Sequence, residues 1–360
     1  MNTTSQTDLS ATNPLKPKIK PVISQYSRAL YPNIEKKRRS HKFSHLSLCI
    51  TNRANLTKTS QTLKKIKDIA YLDLLFDSFP TDLAKKFKYF LHSLKRFNRI
   101  PNFKINYLNL PHKDFSRFCL ALERLQGPKK LELQFRFSQR DRDLKVEPII
   151  AALRKYHHLE ALSIKLLSTE ALKPKPLELL FSSLRRYSKL ESLIIEHPAL
   201  LNAQAEAFIK AFDNLKNVKL SNLQLKLRKT HHINLKDLCT SLTNFAPSLQ
   251  GLSLEFSPGG ESLVFPEVLQ KFHNLSHLSL NLITQDLPFA FLYMQNLSQA
   301  LKSMQSLPAN FKVGFCQSPS LAECNFTTEF LQIYREIIAS PIWVPNIQVF
   351  PKSDEKFIVE

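Results

Sequence analysis

Leu153-Arg-Lys-Tyr156-His-His-Leu159-Glu-Ala-Leu162-Ser-Ile164 is followed, 31 residues on, by Leu184-Arg-Arg-Tyr187-Ser-Lys-Leu190-Glu-Ser-Leu193-Ile-Ile195. The shared phrase is Leu-x-x-Tyr-x-x-Leu-x-x-Leu-x-Ile. Its first half has helical spacing and its last residues alternate as a strand does. A helix therefore runs through a short loop into a strand, and the unit recurs. Recurrence at such a period is the mark of stacked repeats, each too small to bury its own apolar face.

Outward from this pair, the strand signature can be laid on Phe43-Leu46-Leu48, Ile69-Leu72-Leu74, Ile105-Leu108-Leu110, Leu131-Leu133, Leu215-Val218-Leu220, Leu249-Leu252-Leu254 and Leu275-Leu278-Leu280. Weaker versions fall on Val313-Phe315 and Ile347-Val349. Intervals between central residues range from 23 to 36. Helical apolar faces lie between them, such as Phe115, Phe118, Cys119, Leu122 and Leu125, closed by Gly127-Pro128. Pro148, Pro176 and Pro266 are expected in first helical turns, where the missing N–H costs nothing. A helix between every two strands forbids hairpins, so the strands should run parallel with the helices on one side.

At this point the residues resemble the leucine-rich repeat family, most closely its ribonuclease-inhibitor-like class, over roughly residues 43 to 350. The resemblance implies an α/β fold: a curved leucine-rich-repeat solenoid, with parallel strands on the concave face and helices on the convex face. The chain departs from the family's pattern at the fifth position after the central leucine. Asparagine is expected there, and Leu167, Pro198, Leu223, Ser257 and Ile283 stand instead.

The chain divides into a disordered basic tail (residues 1–42), the solenoid (43–310) and degenerate last repeats with a C-terminal cap and tail (311–360). The formal charge of +21 is uneven. Residues 1–130 hold 26 Lys and Arg against 8 Asp and Glu, whereas residues 131–360 hold 25 against 22. The first third thus has the electrostatics of a protein that meets an acidic partner. Within the tail, Lys36-Lys37-Arg38-Arg39 has the form of a nuclear-import signal or an electrostatic anchor.

Catalytic patterns are missing. There is no HExxH, GxSxG, phosphate-cradling glycine loop or zinc-finger spacing, and glycine totals only five residues. Cys119 and Cys239 read as small core residues on apolar helix faces. Without a run of about 18 apolar residues, no membrane span is expected. The absence of a secretory signal implies an intracellular protein, cytoplasmic or nuclear. No cofactor or metal is expected.

In the resembled fold, residues flanking the central leucines face the concave side. Those singled out as partner-binding are Tyr71, Asp73, Tyr107, Asn109, Lys130, Glu132, Lys219 and His277, with Tyr71 and Tyr107 as paired anchors. The first expectation is a non-enzymatic scaffold that binds a partner protein on this face. The alternative is a nucleic-acid or ribonucleoprotein accessory factor engaged through basic residues 1–130. A ubiquitin-ligase substrate adaptor is the lesser alternative. Partner identity and oligomeric state are left open.

Overall fold

The computed structural model describes the strands, helices and helix-to-strand turns between residues 42 and 316, and two short strands beyond them; residues 1–41, 317–347 and several loops lie outside the description. The disorder expected for the tail, and Lys36, Lys37, Arg38 and Arg39, lie outside it too. Residues 42–360 form one compact unit.

Ten strands follow one another in sequence order across one open sheet. They are β1 (Leu46–Ile50), β2 (Tyr71–Phe76), β3 (Asn102–Leu108), β4 (Lys130–Phe135), β5 (Ala161–Leu166), β6 (Ser192–His197), β7 (Asn222–Leu227), β8 (Gly251–Phe256), β9 (His277–Ile283) and β10 (Asn310–Cys316). Every pairing is parallel. From β3 onward a helix links successive strands: α1 (His112–Leu122), α2 (Glu147–Leu153), α3 (Pro174–Leu184), α4 (Asn202–Asp213), α5 (Leu235–Thr243), α6 (Val264–Leu269) and α7 (Leu287–Ser303). Pro148, Pro176 and Pro266 all fall in first turns. Gly127 takes φ 73°, the left-handed conformation that glycine adopts without strain, in the turn after α1.

Alternate strand residues are buried. Leu162, Ile164, Leu193, Ile195, Leu252, Leu254, Leu278 and Leu280 form the spine of one core with Phe118, Phe181, Phe208, Phe212 and Phe245 from the helices. Phe181 meets Phe208 edge-on at 5.2 Å, and Phe212 meets Phe245, in the turn after α5, at 5.2 Å, which ties three successive repeats together. Each such pair adds about 0.5–1.5 kcal/mol to the burial of its rings. Cys119 and Cys239 are free and buried, as their places on apolar helix faces required.

Three strands sit in a different register from that laid out above. Leu193 and Leu252 are bridged by Leu223, not Val218. Leu72 and Leu131 are bridged by Phe103, not Leu108. Leu278 pairs with Phe311, not Val313. The reason is visible in the turns. Val218 N–H bonds the Leu215 carbonyl at 2.8 Å, closing a turn where a strand was expected. The overlapping phrase Leu220-x-x-Leu223-x-Leu225 supplies the strand instead. Central residues then stand at 46, 72, 103, 131, 162, 193, 223, 252, 278 and 311, so intervals narrow to between 26 and 33. The segment around Ile347-Val349 is not a further rung: Gln348–Val349 pairs antiparallel with Phe357–Ile358.

The strand entrances carry a backbone ladder. The carbonyl of Pro101 accepts from the N–H groups of both Lys129 and Lys130, and Lys129 O accepts from Glu160 and Ala161. Glu160, Glu191, Ser221 and Gln250 continue the pattern, each taking two N–H groups from the next repeat at 2.8–3.1 Å. Donors that would otherwise be orphaned between helix and strand are thus satisfied without any side chain.

Candidate functional site on the open face of the sheet

The strand residues that do not enter the core line the other face of the sheet, and parallel register sorts them into rows. The row after the central residue reads Ser47, Asp73, Lys104, Glu132, Ser163, Ile194, Gln224, Ser253, Ser279 and Lys312. The row before it reads Tyr71, Asn102, Lys130, Ala161, Ser192, Asn222, Gly251, His277 and Asn310 across β2 to β10.

The first half of this face is charged and self-paired. Glu132 stands between Lys104 at 3.2 Å and Lys165 at 3.0 Å. Asp73 accepts from Asn106 Nδ2 at 3.2 Å. Burial pushes the Asp73 carboxyl above its ordinary range, with Lys104 opposing. For Lys104, burial acts downward, but the bond to Glu132 and the surrounding negative charge prevail and its pKa is raised. Tyr71 stacks on His45 with centroids 4.4 Å apart and planes 16° from parallel. Burial raises the Tyr71 phenol, again against Lys104.

The second half is uncharged in these two rows until Lys312. Ser192, Ile194, Asn222, Gln224, Gly251, Ser253, His277, Ser279 and Asn310 line a groove of about 430 Å³. Its shape depends on Gly251, where a Cβ would lie 2.4 Å from Asn222 Oδ1. His277 is fixed at both nitrogens, Nδ1 2.7 Å from Ser276 Oγ and Nε2 3.0 Å from Asn310 Nδ2. Ser276 Oγ also lies 3.1 Å from the Gln250 carbonyl. With the single hydroxyl proton given to that carbonyl, Nδ1 carries the ring proton and Nε2 accepts from Asn310. Ser276 and His277 thus link neighbouring repeats, one to Gln250 and the other to Asn310.

Of the residues singled out in the sequence, Tyr71, Asp73, Lys130, Glu132 and His277 lie in these rows. Lys219 does not. It is exposed in the turn before β7, and Gln224 holds the place assigned to it. Tyr107 lies in β3 within the break in register between Ile105 and Leu108, so Tyr71 has Asn102 as its neighbour and the expected pair of tyrosines is not formed. Asn109 lies outside the described residues. Lys104, Asn222, Gln224 and Asn310 were missed. Even spacing was the signal that would have found them, because Ile100-x-x-Phe103-x-Ile105 and Leu220-x-x-Leu223-x-Leu225 keep the 30-residue beat.

Among the described residues no cluster of three or more metal-binding side chains occurs, and no helix is long and apolar enough to cross a membrane. No family model matches the chain, and no curated protein matches it either.

Proposed function

We propose that this chain is a curved leucine-rich-repeat-like solenoid of the ribonuclease-inhibitor-like kind. It acts as a non-enzymatic scaffold whose strand face binds a partner protein. The observation that carries the reading is the groove across β6 to β10. Small hydroxyl and amide side chains there leave room above the sheet and offer donors and acceptors without net charge. Such a surface suits an extended segment of a partner, whose own peptide groups need hydrogen bonds. The flanking ion pairs neutralise each other, so the attraction is short-ranged and weakly dependent on salt.

The test is affinity purification of the full chain from its native cell, beside the variant Ser253→Arg/Ser279→Arg, which fills the groove. The same partner proteins should be recovered at low and at high salt with the parent chain and lost with the variant. Partners recovered equally by both would refute the assignment of this face.

A further inference from the structure

A second surface lies in the turns that lead into β5 and β6. In the turns after α2 and α3 a tyrosine is buried, Tyr156 to 1% exposure and Tyr187 to 2%. The two residues on either side of each are exposed: Arg154, Lys155, His157 and His158 in one repeat, Arg185, Arg186, Ser188 and Lys189 in the next. The turns are stiff. Tyr156 N–H bonds Leu153 O at 2.9 Å and Leu159 N–H bonds Tyr156 O at 3.1 Å, and the same two bonds recur at 3.0 and 3.2 Å around Tyr187. The shared-carbonyl ladder holds the two turns side by side.

Charge at these positions is not what the helices require. Two aligned helix C-termini carry about half a negative charge each, enough to offset roughly one cation. Five Arg and Lys side chains stand there. The corresponding flanks in later repeats carry one lysine around Leu215 (Lys216), none around Phe245 and one around Phe272 (Lys271), so helix ends of this kind need at most one cation each. Lys155 is 3.5 Å from Glu123, and Lys129 bonds Glu160 at 2.7 Å close by. Arg154, Arg185, Arg186 and Lys189 make no ion pair among the described residues.

We infer that this basic rim binds the sugar–phosphate backbone of a nucleic acid without reading its bases. Three arginines supply forked donors that match phosphate oxygens two at a time. The tyrosines are buried in the core and not free to stack on bases, which leaves backbone contact. A membrane surface fits less well, because the exposed turn positions offer no apolar side chain to enter a bilayer. None of the rim residues lines the strand-face groove.

The experiment is fluorescence anisotropy of the full chain with labelled duplex and single-stranded oligonucleotides of about 30 residues over a range of salt. Beside it runs sedimentation with vesicles containing anionic lipid. Arg154→Gln/Arg185→Gln/Arg186→Gln/Lys189→Gln should weaken binding at least tenfold. On duplex it should flatten the slope of log affinity against log salt by about 3–4, near 0.9 for each phosphate no longer neutralised. Arg154→Lys/Arg185→Lys/Arg186→Lys should keep most of the affinity, which excludes misfolding as the cause. Lys175→Gln/Lys210→Gln/Lys236→Gln, on exposed helix positions, should change it little. The inference is overturned if the glutamine variant binds like the parent, or if only Lys36→Gln/Lys37→Gln/Arg38→Gln/Arg39→Gln abolishes binding. Binding to vesicles but not to either oligonucleotide overturns it as well.

Discussion

Strands β2 to β5 and strands β6 to β10 are built on one core and differ on their open side. In the first group Asp73, Lys104, Glu132 and Lys165 alternate in sign and consume each other's charge. In the second, serine, asparagine, glutamine and histidine leave a groove. Since the buried leucines are the same in both, the core does not decide which half has room for a ligand. The exposed alternate residues do. A repeat-like parallel-strand fold thus separates the residues that build the core from those that shape the open face, one residue parity for each.

The kinship of the two halves is tested hardest at the core. Leu131→Ala in β4 and Leu223→Ala in β7 remove equivalent buried side chains, and each should cost about 2–5 kcal/mol in urea unfolding. If one cost were near zero, the two halves would not share a common spine. Glu132→Gln is next. It leaves two lysines without their common partner. Its side chain is 25% exposed, so the loss should be only about 0.5–1 kcal/mol and should shrink with added salt. Lys226→Gln, whose partner Glu255 stands 3.8 Å away near the groove, should cost less still.

Asp73 sets the charged half apart through pH. Its folded pKa lies above the unfolded one, so the protonated form favours the folded chain. That contribution is complete below the ordinary carboxyl range and is lost as pH rises through the raised value. Asp73→Asn should therefore raise Tm at neutral pH and leave it nearly unchanged near about pH 3, where the parent is protonated too. A lower Tm at neutral pH would mean that the Asn106 bond outweighs burial. The smallest effect belongs to Gly251→Ala. The new methyl must displace the Asn222 amide, a movable group, so the loss should stay below about 1 kcal/mol and be relieved by Asn222→Ala. A loss that Asn222→Ala leaves in place would locate the strain in the backbone.

The parallel strands and the helix between them were legible because leucine spacing survives in phase from Leu46 to Leu278. The chemistry of the open face was legible only where one phrase was available to choose. At 131, 162 and 193 a single reading exists, and Lys130 and Glu132 followed from it. At 215–225 two overlapping phrases compete, and the first of them puts Lys219 on the face. Local periodicity cannot decide such a case, because Leu215, Val218 and Leu220 are as buried as Leu223 and Leu225. What decides it is the turn at Val218 and the pairing of Asn222 with Ser192 and Gly251, which are long-range facts. The Lys104–Glu132–Lys165 network was hidden for the same reason in β3.

The doubly accepting carbonyls at the strand entrances have a consequence for how such a chain can change. Most of their donors are main-chain N–H groups, joined at Glu191 and Gln250 by the hydroxyls of Ser221 and Ser276, so the hydrogen bonding at a seam asks little of the side chains. Cutting out the span from Glu160 to Leu190 would leave Lys129 O facing the N–H groups of Glu191 and Ser192 in the same geometry. So far as hydrogen bonding goes, whole units can be gained or lost at such seams, provided that the leucines and phenylalanines of the core still meet their neighbours.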